Sequence, residues 1–340
     1  MQADDSLAIL TARDVASLLN QREREIMRVI EAAYSAHARG GTNCPHSLFL
    51  HPPQPANSRI IALPAYIGEE TNVAGVKWIS SFPSNLAMGL PRASALIVLN
   101  SVETGRAYAV MEGAIISKKR TSASAAIAAS RLIADPQAVN YVGIIGCGEI
   151  NREVLEFLSK TLPSLALVRV FDTSTERAQS FRAFCEDRFN VEALSAKSID
   201  EVLGGGQVIS IATTALEPHI QTLAACPPST VILHLSLRDL APHLLHEVDN
   251  VVDDVDHVCR ANTSLDLATQ KAGHRRCIRT TLGEILNGFS PSISGDGRTV
   301  VFSPFGLGIL DLSLAAYVYK AAMSGGQMEM IPGFHAAASV

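Results

Sequence analysis

One stretch constrains this chain more than any other: Tyr141-Val-Gly-Ile-Ile-Gly-Cys-Gly-Glu-Ile-Asn-Arg-Glu-Val-Leu-Glu-Phe-Leu158. Tyr141 to Ile145 is apolar and has the length of one buried strand. Gly146-x-Gly148-x-x-Asn151 follows, and then Val154, Leu155, Phe157 and Leu158 recur with helical spacing. Strand, glycine turn and helix in that order form a nucleotide-binding turn. Gly146 permits the tight bend, and Gly148, which has no Cβ, lets a pyrophosphate approach the amides at the helix N-terminus. Glu149 and Ile150 open that helix and are cofactor-contacting candidates. The third motif position is usually Gly or Ala, for close packing of helix on strand; Asn151 departs from that pattern.

A second feature supports the first. Leu167-Val-Arg-Val-Phe171 reads as the next strand and ends in Asp172, 24 residues after Gly148. A carboxylate there receives the adenosine ribose 2′-OH and repels a 2′-phosphate, which favours NAD over NADP. Arg177 lies close enough to work against that preference. The competing reading is a structural βαβ turn with a surface aspartate.

From Tyr141 onward, predicted strands at 141–145, 167–171, 208–212, 231–235 and 250–253 alternate with helices, the pattern of a doubly wound α/β fold. Thr213 and Thr214 follow a strand at its carboxyl end, where such sheets bind ligands, and are candidates to flank the adenine or ribose. Before residue 112 the pattern differs. Helices are expected over 12–19, capped by Thr11, and over 22–39. Strands are expected at 8–10, 47–50, 59–63, 74–80, 94–100 (a buried one) and 107–111, in an antiparallel or mixed sheet. A long Ala/Ser-rich helix over 113–134 carries Arg120 and Thr121. After Asn287 come a strand at 299–302, a glycine turn with Gly306 and Leu307, and a helix over 311–322 that returns to the first domain. The Gly/Ala/Ser-rich tail from Ser324 is expected to be partly mobile. The division is therefore residues 1–115 with 305–340 as an α+β domain, and 116–304 as a Rossmann domain.

Composition bounds the rest. A chain of 340 residues with 47% hydrophobic content can bury two ordinary cores. A net charge of −5 leaves no footprint for nucleic acid. No apolar run approaches the ~20 residues of a membrane helix, and the Met1-Gln-Ala-Asp-Asp5 start lacks the pattern of a signal peptide. The six cysteines are scattered with no C-x-x-C pair, so they read as free thiols in a soluble, cytoplasmic protein. No histidine spacing suggests a metal site. His234, within an apolar strand, reads as a core residue, and Ser236 lacks the G-x-S-x-G context of a hydrolase.

Several stretches together resemble the ornithine cyclodeaminase/μ-crystallin family: Gly75-Val-Lys77-Trp, Pro91-Arg-Ala-Ser-Ala95, Ile116-Ser-Lys-Lys-Arg120-Thr121, Gly146-Cys-Gly148, Ser236-Leu-Arg-Asp239 and Pro304-Phe-Gly306-Leu-Gly-Ile-Leu-Asp311. Lys77-Trp78-Ile79, Arg92-Ala-Ser, Ile97-Val-Leu-Asn100 and Val110-Met-Glu are closest to one branch. Its members oxidise N-(2-amino-2-carboxyethyl)-L-glutamate to 2-oxoglutarate and L-2,3-diaminopropionate in siderophore and peptide-antibiotic pathways. The resemblance implies an N-terminal domain for substrate binding and homodimerisation, completed by the C-terminal helix, and a central NAD-binding Rossmann domain. It implies NAD-dependent oxidation of a secondary amine to an imine, which is then hydrolysed. A partner PLP-dependent synthase would supply the substrate.

The residues fit that chemistry. Hydride can leave the glutamyl α-carbon only when the amine lone pair is free, so a base must first take the ammonium proton. Asp239 matches the family's catalytic aspartate and follows an apolar strand; the competing reading is a surface aspartate beside Arg238. The substrate carries three carboxylates, each needing a cation. Lys77 and Arg120 match the family's substrate-binding lysine and arginine, against an outward strand lysine and a solvated helix charge. Arg59 and Arg92 are further cations near the same strands, with surface salt bridges as the alternative. Thr121 is a candidate phosphate contact, and Gly306 and Leu307 are candidates to lie against the nicotinamide. Asp311 reads as structural, capping or orienting the last helix. The ornithine-cyclising members carry a glutamate where this chain has Ala62 and an arginine near Ser47, which argues against a cationic substrate side chain. A cyclodeaminase and a non-catalytic, μ-crystallin-like ligand carrier remain the alternatives.

Overall fold

Two eight-stranded sheets divide the chain between them in a computed structural model that describes residues 5–290, 293, 297–326 and 328–336. Each sheet organises one compact unit. The first unit comprises residues 1–120 with 307–340. It opens with β1 (Leu7–Leu10), α1 (Ala12–Leu19) and α2 (Glu23–Ala38). It continues through β2 (Thr42–Asn43), β3 (Leu48–Leu50), β4 (Arg59–Ile67), β5 (Val73–Ser81), β6 (Ala93–Asn100) and β7 (Ala107–Glu112) into α3 (Ala114–Leu132).

The second unit comprises residues 121–306. It carries β8 (Tyr141–Ile145), α4 (Glu149–Thr161), β9 (Leu167–Phe171), α5 (Thr175–Phe189), β10 (Glu192–Ser195), α6 (Ile199–Leu203) and β11 (Val208–Ile211). Next come β12 (Val231–His234), β13 (Asp249–Val252), α7 (Val255–Val258), α8 (Ser264–Ala272), β14 (Ile278–Thr281), α9 (Leu282–Leu286) and β15 (Val300–Ser303). The chain then rejoins the first unit as α10 (Gly308–Gly325) and β16 (Glu329–Ile331).

In the first unit the sheet runs β16-β1-β7-β6-β5-β4-β2, with β3 also paired to β4. It is mixed: β1 lies parallel to β7 and the remaining pairs are antiparallel. Strand alternation sorts the residues by face. Leu63, Lys77, Ile97 and Met111 form one cross-strand row, and Ala62, Trp78 and Leu96 form the next row, on the other face. The apolar helix α10 covers the first face. Gly75 permits this approach, since a Cβ there would lie 2.1 Å from the Val98 carbonyl oxygen and 3.2 Å from Leu312. β6 is consequently buried on one face only: Ile97 and Leu99 are sealed while Leu96 is half exposed, so the expectation of a fully buried strand is corrected. The tail is also more ordered than its composition suggests. Residues 329–331 form β16, antiparallel to β1; residues 327 and 337–340 of that tail lie outside the described residues.

The sheet of the second unit is parallel throughout, in the order β10-β9-β8-β11-β12-β15-β13-β14. β8, β11, β12, β13 and β15 are buried along their whole length, which explains their mostly apolar composition: helices cover both faces of such a sheet. β8 is flanked by β9 on one side and β11 on the other. The winding reverses there, and ligands in doubly wound sheets bind beyond the carboxyl ends at that point. Helices α5 to α9 begin on Ser174, Ser198, Asp254, Thr263 and Thr281, each capping with its side chain. α4 begins on Gly148 with no side-chain cap. Among the described residues, no helix is long and apolar enough to cross a membrane.

Candidate active site

Two clusters of functional side chains form, one in each unit. In the second unit the glycine turn closes against the next strand. Gly146 has φ +91°, and a Cβ there would lie 2.3 Å from the Ala212 carbonyl oxygen, so both conformation and space demand glycine. Above Gly148 a Cβ would meet nothing within 4 Å. That open space, over an uncapped helix N-terminus opened by Glu149 and Ile150, fits a pyrophosphate.

The departure at Asn151 has a physical role. The side chain is fully buried; its amide nitrogen donates to the carbonyls of Ile145 (3.1 Å) and Gly146 (2.7 Å), and its oxygen accepts from Ser210 Oγ at 2.7 Å. Where Gly or Ala would lock helix to strand by contact, Asn151 does so by hydrogen bonds.

Asp172 sits at the end of β9. Oδ2 accepts from the Cys147 amide at 2.8 Å, and Oδ1 accepts from the Ser174 amide at 2.8 Å and from Arg177 Nε at 3.2 Å. Burial works against its charge, but the two amides and Arg177 outweigh that and hold the carboxyl below its ordinary value. Oδ2 retains an acceptor site, as a ribose hydroxyl requires. Arg177 is committed to this carboxylate.

Asp239 follows β12 and is completely buried, which rules out the surface-loop reading. Oδ1 accepts from the Thr213 hydroxyl, and Oδ2 accepts from Ser236 Oγ at 2.5 Å. His234 Nε2 lies 3.2 Å from Oδ2 and equally 3.2 Å from the Asp239 amide nitrogen. It cannot donate to one and accept from the other. The negative carboxylate selects the Nε2–H form, leaving Nδ1 to accept from the Ser303 hydroxyl 3.3 Å away. Burial opposes ionisation of Asp239; the bonds from His234, Ser236 and Thr213 overcome it and hold the carboxyl at about 2. Thr213 thus turns to Asp239, while Thr214 is exposed.

At the end of β15, Gly306 (φ +96°) and Leu307 are buried. The Asp253 carboxylate, itself 1% exposed, accepts from the amides of Phe305 (2.9 Å), Gly306 (2.6 Å) and Asp254 (2.9 Å), fixing the turn.

In the first unit the second cluster centres on an aspartate. Lys77 Nζ lies 2.6 Å from Asp311 Oδ2 and Arg120 Nε lies 3.1 Å from Oδ1, while both cations donate to Ser117 Oγ at 3.2 and 3.4 Å. Lys77 is 2% exposed, Arg120 9% and Asp311 0%, so the outward-lysine and solvated-arginine readings are overturned. The capping reading of Asp311 is corrected, since α10 begins on Leu307 with no side-chain cap; its carboxylate is a buried counter-ion that ties α10 to β5 and α3. Burial drives the Lys77 ammonium down to about 8 against the pull of Asp311, with Arg120 adding to the fall. Lys77 and Arg120 both pair with the Asp311 carboxylate. α3 brings Ser117 and Arg120 to this place, and Glu112 starts that helix by accepting from the amides of Ala114 (2.7 Å) and Ile115 (3.0 Å).

Arg59 lies opposite Ser81, on the face of Lys77 and four cross-strand pairs along, ~13 Å away by strand rise. Arg92 is partly buried; its Nε has no hydrogen-bond partner, and burial alone lowers its pKa. Ala62 lies across from Trp78, on the opposite face to Lys77, so a missing acid there does not bear on this cluster. Thr121, the next residue of α3, is partly buried.

The ornithine cyclodeaminase/mu-crystallin family matches residues 6–326. The chain belongs to that family. Family relatives include the N-((2S)-2-amino-2-carboxyethyl)-L-glutamate dehydrogenase of Staphylococcus aureus, 27% identical over 92% of this chain and 94% of that protein. The alanine dehydrogenase of Archaeoglobus fulgidus is 29% identical over 93% and 95%. Among solved structures, an archaeal alanine dehydrogenase dimer with bound NAD superposes with a TM-score of 0.86 at 28% identity, over 96% of this chain and 99% of that one. The doubly wound sheet with a second α+β unit is thus the fold of NAD-binding members of the ornithine cyclodeaminase/mu-crystallin family.

Sequence reasoning alone missed Asp311 as a counter-ion and the polar shell of Asp239. A signal existed for the first: Asp311 is the one charged residue in the run Gly306–Tyr319, and a lone acid in a buried helix needs a cation. For His234 and Ser236 the signal was local, since they lie five and three residues before the aspartate they bond, but an apolar-strand histidine and a lone serine carry no pattern that names this role.

Proposed function

We propose that this chain is an NAD-dependent dehydrogenase that cleaves N-(2-amino-2-carboxyethyl)-L-glutamate to L-2,3-diaminopropionate and 2-oxoglutarate. The observation that carries the reading is the buried Lys77–Asp311–Arg120 cluster in a chain that aligns over almost its full length with the S. aureus dehydrogenase. Bound NAD+ supplies the hydride acceptor. Gly146, Gly148 and the amides of Glu149 and Ile150 would receive its pyrophosphate, and Asp172 a ribose hydroxyl. Thr121, Thr213, Thr214, Gly306 and Leu307 would line the rest of the cofactor. Lys77 and Arg120 take one substrate carboxylate. Arg59 and Arg92 take the others, and Asp239 takes the ammonium proton. A PLP-dependent synthase in the cytoplasm would form the substrate.

The A. fulgidus relative favours a second reading, an alanine dehydrogenase. Incubating the protein with NAD+ and the glutamate adduct, alanine or ornithine, followed by product mass analysis, separates these from a cyclodeaminase. Under the leading reading only the adduct yields 2,3-diaminopropionate and 2-oxoglutarate, and Arg92→Met raises the KM for the adduct at least tenfold. Turnover of alanine with no use of the adduct would reject it.

We further propose a homodimer. Leu48, Trp78 and Leu96 form an exposed apolar row across β3, β5 and β6, on the face that α10 leaves open, with relative exposures of 70%, 45% and 50%. The archaeal alanine dehydrogenase is itself a dimer.

A further inference from the structure

Asp239 has no solvent exposure, and both its oxygens already accept hydrogen bonds. If it is the base, as the reading above holds, each proton it takes must leave before the next turnover. The Thr213 and Ser236 hydroxyls are neutral donors that do not store a proton near neutral pH. His234 is 1% exposed and its second nitrogen ends on Ser303, so it leads inward.

His219 differs from all three. Its side chain is 35% exposed, and its Nε2 lies 4.0 Å from Asp239 Oδ1. Its loop is zipped onto the Asp239 backbone: the amides of His219 and Ile220 both donate to the Asp239 carbonyl at 2.9 Å. The ring is therefore held beside the carboxylate while its edge reaches water. A rotation that closes roughly 1 Å brings it into hydrogen-bond range.

We propose that His219 carries the proton between Asp239 and bulk water. An N–H bond of the substrate ammonium breaks, its electron pair stays on nitrogen, and an O–H bond forms on Asp239. That O–H bond then breaks as an N–H bond forms on His219 Nε2, and the imidazolium hands its proton to water. One proton moves from amine to solvent, separately from the hydride that NAD+ accepts from carbon. Imidazole is the side-chain type that exchanges a proton near neutral pH.

The test uses the full-length protein with NAD+ and the glutamate adduct in weakly buffered solution. His219→Gln lowers kcat by about 10- to 100-fold, leaves NAD+ affinity and the thermal midpoint unchanged, and is rescued by added imidazole. A merely structural role would not respond to imidazole. In the cofactor-free, ¹⁵N-labelled protein, Asp239→Asn moves the His219 Nε2 resonance. Wild-type kcat in His219→Gln, a loss that imidazole does not restore, or an unmoved Nε2 resonance would each overturn the relay. The base reading fails separately, if Asp239→Asn retains full activity.

Discussion

Lys77 illustrates how burial changes the acid–base character of a common strand residue. Its ammonium titrates near 8 in the folded chain, below the ordinary lysine value. The folded state therefore binds fewer protons than the unfolded chain between pH ~8 and ~10.4. Its contribution to stability is complete above that window and is lost as pH falls through 8. Binding runs the other way: the KM for a carboxylate substrate rises as pH climbs past 8 and the charge is lost, and a KM–pH profile checks this. Lys77→Met removes that inflection. Asp239 has the opposite role, a carboxyl held at about 2. Its contribution of ~2 kcal/mol is present above pH ~4 and is lost as pH falls towards 2. Asp239→Asn lowers kcat by roughly 10²- to 10⁴-fold with unchanged NAD+ affinity in a fluorescence titration. It also removes that acid-side loss from urea unfolding curves.

At the scale of the element, the strand–turn–helix of β8 and α4 depends on Asn151 as much as on its glycines. Asn151→Ala leaves the buried Ser210 hydroxyl without its acceptor and strips a donor from the turn carbonyls. The expected cost is about 1–3 kcal/mol, read from the denaturation midpoint, with weaker NAD+ binding because the turn loosens. Gly146→Ala would drive a Cβ into the Ala212 carbonyl oxygen, and NAD+ binding should be lost outright. The helix α4 lacks a side-chain cap where the five helices that follow it in the second unit have one. A site kept free for an anion and a helix stabilised by its own cap are alternative uses of the same amides.

At the scale of the whole molecule, the exposed apolar row of Leu48, Trp78 and Leu96 is the surface on which the proposed dimer is tested. Trp78→Glu should convert a dimer to a monomer in light scattering at micromolar concentration. Trp78 and Lys77 are adjacent and point to opposite faces, so the variant should retain the Lys77–Asp311 ion pair. A wild-type monomer would remove the dimer proposal.

What the linear chain determined by itself was whatever depends on near neighbours. Apolar runs bounded by turn residues marked β8, β9 and β11–β13, and the Thr11 cap and helical period marked α1 and α2. The spacing of Gly146, Gly148 and Asp172 marked a nucleotide turn, because those groups act within one βαβ unit. The tertiary structure decided what depends on partners far apart in sequence. It inserted β15 between β12 and β13, and added the polar edge strands β10 and β14, whose register only their neighbours supply. It placed Asp311 against Lys77, 234 residues away, and brought the Thr213 hydroxyl to Asp239 across 26 residues. Local pattern reports which face of an element is apolar. A buried charge is settled only by the counter-charge that folding brings to it, and that choice is made in three dimensions.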